Sequence, residues 1–445
     1  MSVLDPIRPD DYLATALSSA QWLRSVKHTT DAGAHWPLEP DAEPAYDTSL
    51  QIGTAGTIIF LLELADATGD DEVLAEAVEA GRQLLHLEDA DTPPEPSFWI
   101  PGADVSLHLG RAGKAHAMLE LARASGDETF LDAARRWTDE LVDASRHDDG
   151  VYWADQPALI ADGGVALHLL RAAEVLGDEQ YRDVAVEALR HIASRAEEDP
   201  RGGIRWHALD PTSLGAAEGT VWPNFELGTA GVAYALARGY EVTGDQELLD
   251  AALAGAEHIR SIAVVAGDAA LVAYREPDMT DLHYLGACHG PVGTTRLFQL
   301  LHRITGDSQH SEWVEKLFNG VEATGAPERH SPGYWQNSTL CCGTAGFVHW
   351  GVGLWAATGE QRYLDFARRA GDKLLGDTFT ADGGPVRWYD AFTRTQPDVV
   401  SAQTGLVGGN AGNAFALLHL HKALRGENAR YRLPDEPWPS AEVAS

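Results

Sequence analysis

Three cysteines, Cys288, Cys341 and Cys342, are the only ones in a chain of 445 residues. The number is odd and two are adjacent, so they do not read as a disulfide framework. So few thiols fit a reducing compartment. All three occupy one register: the two positions just before a recurring glycine motif, Cys288-His289 in one repeat and Cys341-Cys342 in the next. Small buried hydrophobes have no reason to share a register. Three thiols beside an imidazole make a soft sulfur–nitrogen site, which selects zinc over magnesium or calcium. If His289 is not a ligand, one coordination position stays open for a water or a substrate thiol, whose pKa the metal lowers. If His289 binds as well, the site is closed and structural.

The register comes from the repeat. Gly53-Thr-Ala-Gly56, Gly110-Arg-Ala-Gly113, Gly228-Thr-Ala-Gly231, Gly290-Pro-Val-Gly293 and Gly343-Thr-Ala-Gly346 each begin 16 residues before a Gly-Asp or Gly-Glu pair. Ala161-Asp-Gly-Gly164 keeps that spacing to Gly177, and Gly409-Asn-Ala-Gly412 reaches Gly426 with one extra residue. Between motif and pair runs an apolar, helix-length stretch. After the pair comes a charged stretch with apolar residues every three or four positions. Gly suits a left-handed C-cap and Asp the next N-cap. The unit is therefore a helix hairpin, apolar inside and charged outside. Seven such units predict an all-α fold: a closed α/α toroid of inner and outer helix rings. An open superhelix is the weaker alternative, given the long loops. The expected organisation is one toroid over 1–445, with a helical lead-in at 1–45, repeats at 46–426 and a tail at 427–445. Dipoles at the inner-helix N-termini favour thiolate, and the long loops gather at that same rim.

Other chemistry-bearing residues fall on this rim. His289 is the first candidate for acid/base work, because an imidazole titrates near neutrality. His108 takes the cysteine register in the second repeat, with Asp104 four residues upstream, and Glu226 takes it in the fourth. Tyr284 and His283 precede Cys288 and are placed at the cavity mouth. His168 and His349 fall inside inner helices and read as core histidines. Trp99, Trp153, Trp206, Trp222, Trp335 and Trp388 recur in the loops, as rim packing or as an aromatic wall for a peptide or sugar.

Composition removes several classes. Asp and Glu number 67 against 33 Lys and Arg, a net charge of −34. Such a chain is repelled by phosphate backbones and by anionic membranes. No apolar run approaches the roughly 20 residues of a membrane span. The N-terminus has neither a basic nor an apolar signal region. The expected setting is cytoplasmic, with no nucleic-acid or membrane partner, and the acidic excess suits a salt-adapted cytoplasm. Neither a phosphate-binding loop nor a dinucleotide fingerprint occurs.

The segments LGACHGPVG and TLCCGTAGF resemble the lanthionine synthetase C-like family, and the resemblance extends over nearly the whole chain. It implies an α-toroid with a catalytic zinc that activates a cysteine thiol for addition to a dehydroamino acid, forming a thioether. It implies Cys288 and Cys341 as ligands, with Cys342 where the family usually has His, as in its Cys-Cys-Gly subgroup. Relatives with CHG in the fifth motif are linked to glutathione addition, so the implied substrate is a peptide or a small-molecule thiol. Three family positions differ: Leu227 replaces a His, Pro157 an Asp and Tyr284 an Arg. His289, His108 and Tyr284 are then the substitute catalytic candidates, and Zn2+ is the expected cofactor. The competing readings are a carbohydrate-active α/α-barrel hydrolase or epimerase, which needs paired carboxylates, and a non-catalytic zinc-binding relative.

Overall fold

The computed structural model describes residues 7–41, 46–90 and 100–440. Trp99, the outermost ends of the lead-in and the tail, and residues 42–45 lie outside the described residues. After α1 (Pro9–Val26) the chain forms α2 (Thr54–Thr68) and α3 (Asp71–Glu88), α4 (Arg111–Ser125) and α5 (Glu128–Asp143), then α6 (Asp162–Leu176) and α7 (Glu179–Ser194). There follow α8 (Thr229–Thr243) and α9 (Gln246–Ile262), α10 (Pro291–Thr305) and α11 (Ser308–Ala323), α12 (Thr344–Thr358) and α13 (Gln361–Gly376), and last α14 (Asn410–Leu424). Described strands are two- and three-residue pairs in the loops.

The even-numbered helices pack in succession, α2 on α4, α4 on α6 and onward to α12 on α14, and α14 returns to α2. That closes an inner ring of seven. Each odd-numbered helix from α3 to α13 lies outside its predecessor. The seventh pair is made by the two ends of the chain: α1 packs along α14 as its outer partner. The lead-in of the sequence reading is thus the missing outer helix.

Local chemistry explains the hairpins. Inner helices are buried over most of their surface; every residue of α2 from Thr54 to Leu64 is inside. Outer helices bury one stripe, as α5 does with Phe130, Ala133, Ala134, Trp137 and Leu141, at the spacing of one helical face. Gly69 ends α2 in the left-handed region (φ 65°), donating its N–H to the Ala65 carbonyl. Asp70 then caps α3 by accepting from the Glu72 N–H, an interaction worth ~1 kcal/mol. The loop tryptophans divide in two. Trp153, Trp206 and Trp388 donate Nε1–H to the carbonyls of Leu141, Ile192 and Leu374 at the ends of outer helices. They pin the rim, whereas Trp222 and Trp335 line a cavity.

The C-terminal segment does not trail away. It turns into the ring at the inner helices' C-terminal end. Arg432, Asp435, Glu436 and Trp438 are all buried there. Arg432 faces Glu63 and Asp66 of α2 and Glu120 of α4. Asp435 binds Arg296 of α10, and Glu436 binds His349 of α12. Among the described residues no helix is long and apolar enough to cross a membrane.

Candidate active site

The residues preceding each glycine motif form a belt of main-chain hydrogen bonds around the rim. The Gln51 N–H donates to His108 O, Glu226 N–H to Cys288 O, Cys288 N–H to Cys341 O, Cys341 N–H to Val407 O, and Val407 N–H to Gln51 O, at 2.7–3.3 Å. The third repeat joins one residue later, through Ile160 N–H to Glu226 O at 3.2 Å. Equivalent repeat positions are therefore equivalent in space. The second motif glycine makes this possible by letting the loop fold over the first helical turn. A Cβ at Gly293 would stand 1.9 Å from the Ala287 carbonyl oxygen. Gly293→Ala is accordingly expected to displace the loop carrying Cys288, and so to lower metal affinity at least tenfold, although no donor is altered. Metal titration beside the wild type measures this.

The belt brings the three sulfurs together. Cys342 Sγ lies 3.4 Å from Cys288 Sγ and 3.3 Å from Cys341 Sγ, and all three fall within 4.8 Å of one another. Tetrahedral zinc with sulfur at ~2.3 Å sets its donors ~3.8 Å apart, so the two contacts at Cys342 need open by only a few tenths of an ångström to admit that ion. Among the described residues the cluster is the one histidine, cysteine or carboxylate group close enough to hold a metal, and His289 is not part of it. The thiols share their protons unequally. Hydrogen bonds from Cys288 and Cys341 hold Cys342 down at about 5. Hydrogen bonding to Cys341 and then to Cys342, together with burial, pushes the Cys288 thiol well up. Cys341, which Cys288 stabilises, is still raised by Cys342 and by burial.

Outside the cluster opens a cavity of about 430 Å3. Its walls include Ile52, Leu109, Ile160, Leu227, Trp222 and Trp335. His289 stands on this side, edge-on to Tyr274 (4.8 Å) and Tyr284 (5.4 Å), which stack on each other at 4.3 Å. Burial, with Arg275 nearby, lowers His289 to about 3 and keeps its ring neutral. Burial and Tyr274 push the Tyr284 hydroxyl up. Strand side chains alternate, so Tyr284 enters the cavity while His283 turns to Tyr334, 5.8 Å away. Leu227 and Tyr284, two of the departures from the family pattern, both line the wall.

Behind the cluster lies a smaller void of about 60 Å3, lined by His108, Glu226, Cys288, Cys341, Arg296 and Asp435 among others. The structure puts His108 here and not on the outer cavity. Its partner is not Asp104, which is exposed, but Asp435, 3.7 Å from Nε2. Burial works against the His108 cation, yet Asp435 and Glu226 raise its pKa. Burial, reinforced by Cys341, lifts Glu226 to about 7 against the pull of His108. Glu226, Cys288 and Cys341 line both spaces. His168 meets Thr138 Oγ1 at 3.0 Å and His349 meets Glu436 at 2.6 Å, both as core histidines. Arg432, Asp435 and Glu436, expected in a tail at 427–445, are instead buried. Their signal was the mixture of charge with Tyr431, Leu433 and Trp438, too apolar for a free end.

Residues 227–358 match the family model described as lanthionine synthetase C-like protein. Both cysteine motifs fall inside that match. The lanthionine synthetase C-like match contains all three sulfurs, His289 and Tyr284, whereas His108 and the C-terminal segment lie outside it. No curated protein matches the chain by sequence. Among solved structures, nisin cyclase superposes with a TM-score of 0.60 at 14% identity, covering 94% of this chain and 95% of that one. Cellobiose 2-epimerase from Spirochaeta thermophila DSM 6192 gives a TM-score of 0.51 at 14% identity, over 94% and 96% of the two chains. The GH76A α-1,6-mannanase from Salegentibacter sp. HEL1_6 gives 0.50 at 14% identity, over 93% and 99%. At these identities the shared property is the toroid, which hosts different chemistries.

Proposed function

We propose that the chain is an enzyme that activates a thiol for addition to an electrophilic alkene, such as the dehydroamino acid of a modified peptide, and so forms a thioether. The observation that carries this reading is the three-sulfur cluster at the floor of an apolar cavity. Cys288, Cys341 and Cys342 would hold a zinc ion. Zinc so bound supplies Lewis acidity that lowers the pKa of a thiol in its open position. The chain's own residues do the rest. Apolar walls exclude water from the nucleophile. The neutral ring of His289, positioned by Tyr274 and Tyr284, accepts a proton on the cavity side. Three sulfur donors favour a strongly nucleophilic substrate thiolate.

A sugar-processing site needs two carboxylates flanking the substrate. Glu226 is the one carboxylate among the described residues lining the cavity. The test is to incubate the zinc-loaded protein with a dehydroalanine peptide, with its own cysteine or with a small thiol added, and to follow the product by mass. A zinc-dependent thioether, abolished by chelation, is expected. A fully zinc-loaded protein that accelerates no addition over the uncatalysed rate overturns the reading.

A further inference from the structure

On the thiol-addition reading above, we propose that Arg394 and Arg275 form a carboxylate-binding subsite in the wall of the outer cavity, so that one of the two reactants carries a carboxylate. Both guanidinium groups line the cavity that has the sulfur cluster at its floor. They come from different repeats. Arg275 belongs to the loop before the fifth glycine motif, where Val221 and Glu276 exchange main-chain hydrogen bonds at 2.9 and 3.0 Å. Arg394 belongs to the loop before the seventh motif, in the turn between the antiparallel strands Asp390–Ala391 and Val400–Ser401. It lies outside the residues that match the family model.

Charge sets Arg394 apart. Half-buried arginines elsewhere are matched, Arg171 by Glu120 and Glu174, Arg430 by Asp66. Among the described residues no carboxylate lies within ion-pair distance of Arg394. The other arginines without an ion pair are exposed to water, apart from Arg387, which lies over Phe379 and Tyr389. Arg394 is half-buried, and its guanidinium stands beside the neutral Tyr284 hydroxyl. Arg275 Cζ lies 5.7 Å from the ring of Tyr274, so each arginine attends one ring of the stacked pair. The Arg275 side chain is 12% exposed; its partner Asp278, at 2.6 Å, is 46% exposed and does not line the cavity. Against these two cations the described wall offers one carboxylate, Glu226, which also lines the void behind the cluster. A half-buried charge without a counter-ion is unfavourable, and an anionic ligand offsets that cost. The planar guanidinium fork matches a carboxylate. Carboxylate is the anion that amino-acid-derived thiols and alkenes carry. No bond forms or breaks at the subsite; it holds the reactant over the sulfurs.

The test uses full-length zinc-loaded protein and matched probes. In one arm mercaptopropionate is compared with mercaptopropionamide, each with a neutral dehydroalanine amide. In the other a neutral thiol meets N-acetyldehydroalanine as the free acid and as its methylamide. Each rate is divided by its uncatalysed rate. Wild type is expected to favour the carboxylate by ~tenfold or more in kcat/KM in one arm, since hydrogen bonds to charged groups carry such factors. The arm in which this appears says whether the thiol or the alkene carries the carboxylate. Arg394→Gln and Arg275→Gln should each cut the preference by ~fivefold or more, and Arg394→Lys should keep part of it. Unfolding temperatures show that each variant is folded. Calorimetric binding of the same probes should show the same preference without turnover. No preference in either arm, or one that survives in folded Arg394→Gln, overturns the proposal while leaving thiol activation standing. An inert wild type that still binds the carboxylate more tightly than the amide supports the subsite and locates the failure in the thiol-addition reading.

Discussion

Cys341→Ala will leave the ring folded and remove the metal. Structural zinc sites of four donors contribute ~10–16 kcal/mol, or ~2.5–4 kcal/mol per ligand, so affinity should fall by ~70-fold or more. Activity should fall with it, because the remaining two sulfurs cannot fix an open tetrahedral position. The fold should survive, since the loop is anchored by main-chain bonds that alanine preserves, Cys341 N–H to Val407 O and Ala287 N–H to Cys341 O. Helical circular dichroism and metal analysis on one sample check both halves. Cys288→Ala and Cys342→Ala should behave alike, whereas His289→Ala should keep the metal and lose turnover. Unchanged metal content in Cys341→Ala would remove the basis of the account.

Arg432→Met will destabilise the ring without touching the rim. Arg432 lies among Glu63, Asp66 and Glu120, and Glu63 also pairs with Lys422. Removing one partner from a buried charge network costs ~3–5 kcal/mol. Thermal or denaturant unfolding reads the loss. The pH dependence has a definite sign. Burial opposes the Glu63 carboxylate, but His419, Lys422 and Arg432 hold it at about 2, below its ordinary 4.5. A depressed carboxylate stabilises the native state above pH 4.5, and that stability is lost as the pH falls toward 2. With Arg432 gone the Glu63 pKa rises, so acid unfolding should begin at higher pH than in the wild type. An unshifted acid transition would mean that the tail does not hold the inner ring.

Much of this architecture was legible in the sequence because the repeat is enforced locally. A left-handed Gly ends each inner helix from α2 to α12, and an Asp side chain caps the following helix at every pair except Gly359-Glu360, so a constant spacing marks those helices. Equivalent positions then met on the rim, and Cys288, Cys341 and Cys342 could be grouped without any local metal motif. What was not legible depends on long-range contact. α1 and α14 lie at opposite ends of the chain, and nothing in either helix names the other. His108 was assigned to the rim from its register, which is right for its backbone. Its side chain turns inward because Asp435 and Arg296 wait there. Asp104 was the nearer carboxylate in sequence but points to solvent, and no periodicity reaches from residue 108 to residue 435.

The most direct measurement is zinc content together with the X-ray absorption spectrum of the metal in the purified wild type. The account predicts about one zinc per chain, with three sulfur donors at ~2.3 Å and a fourth, exchangeable position that becomes sulfur when a thiol substrate is added. A chain that binds no zinc, or a shell closed by a histidine nitrogen that no thiol displaces, would contradict it.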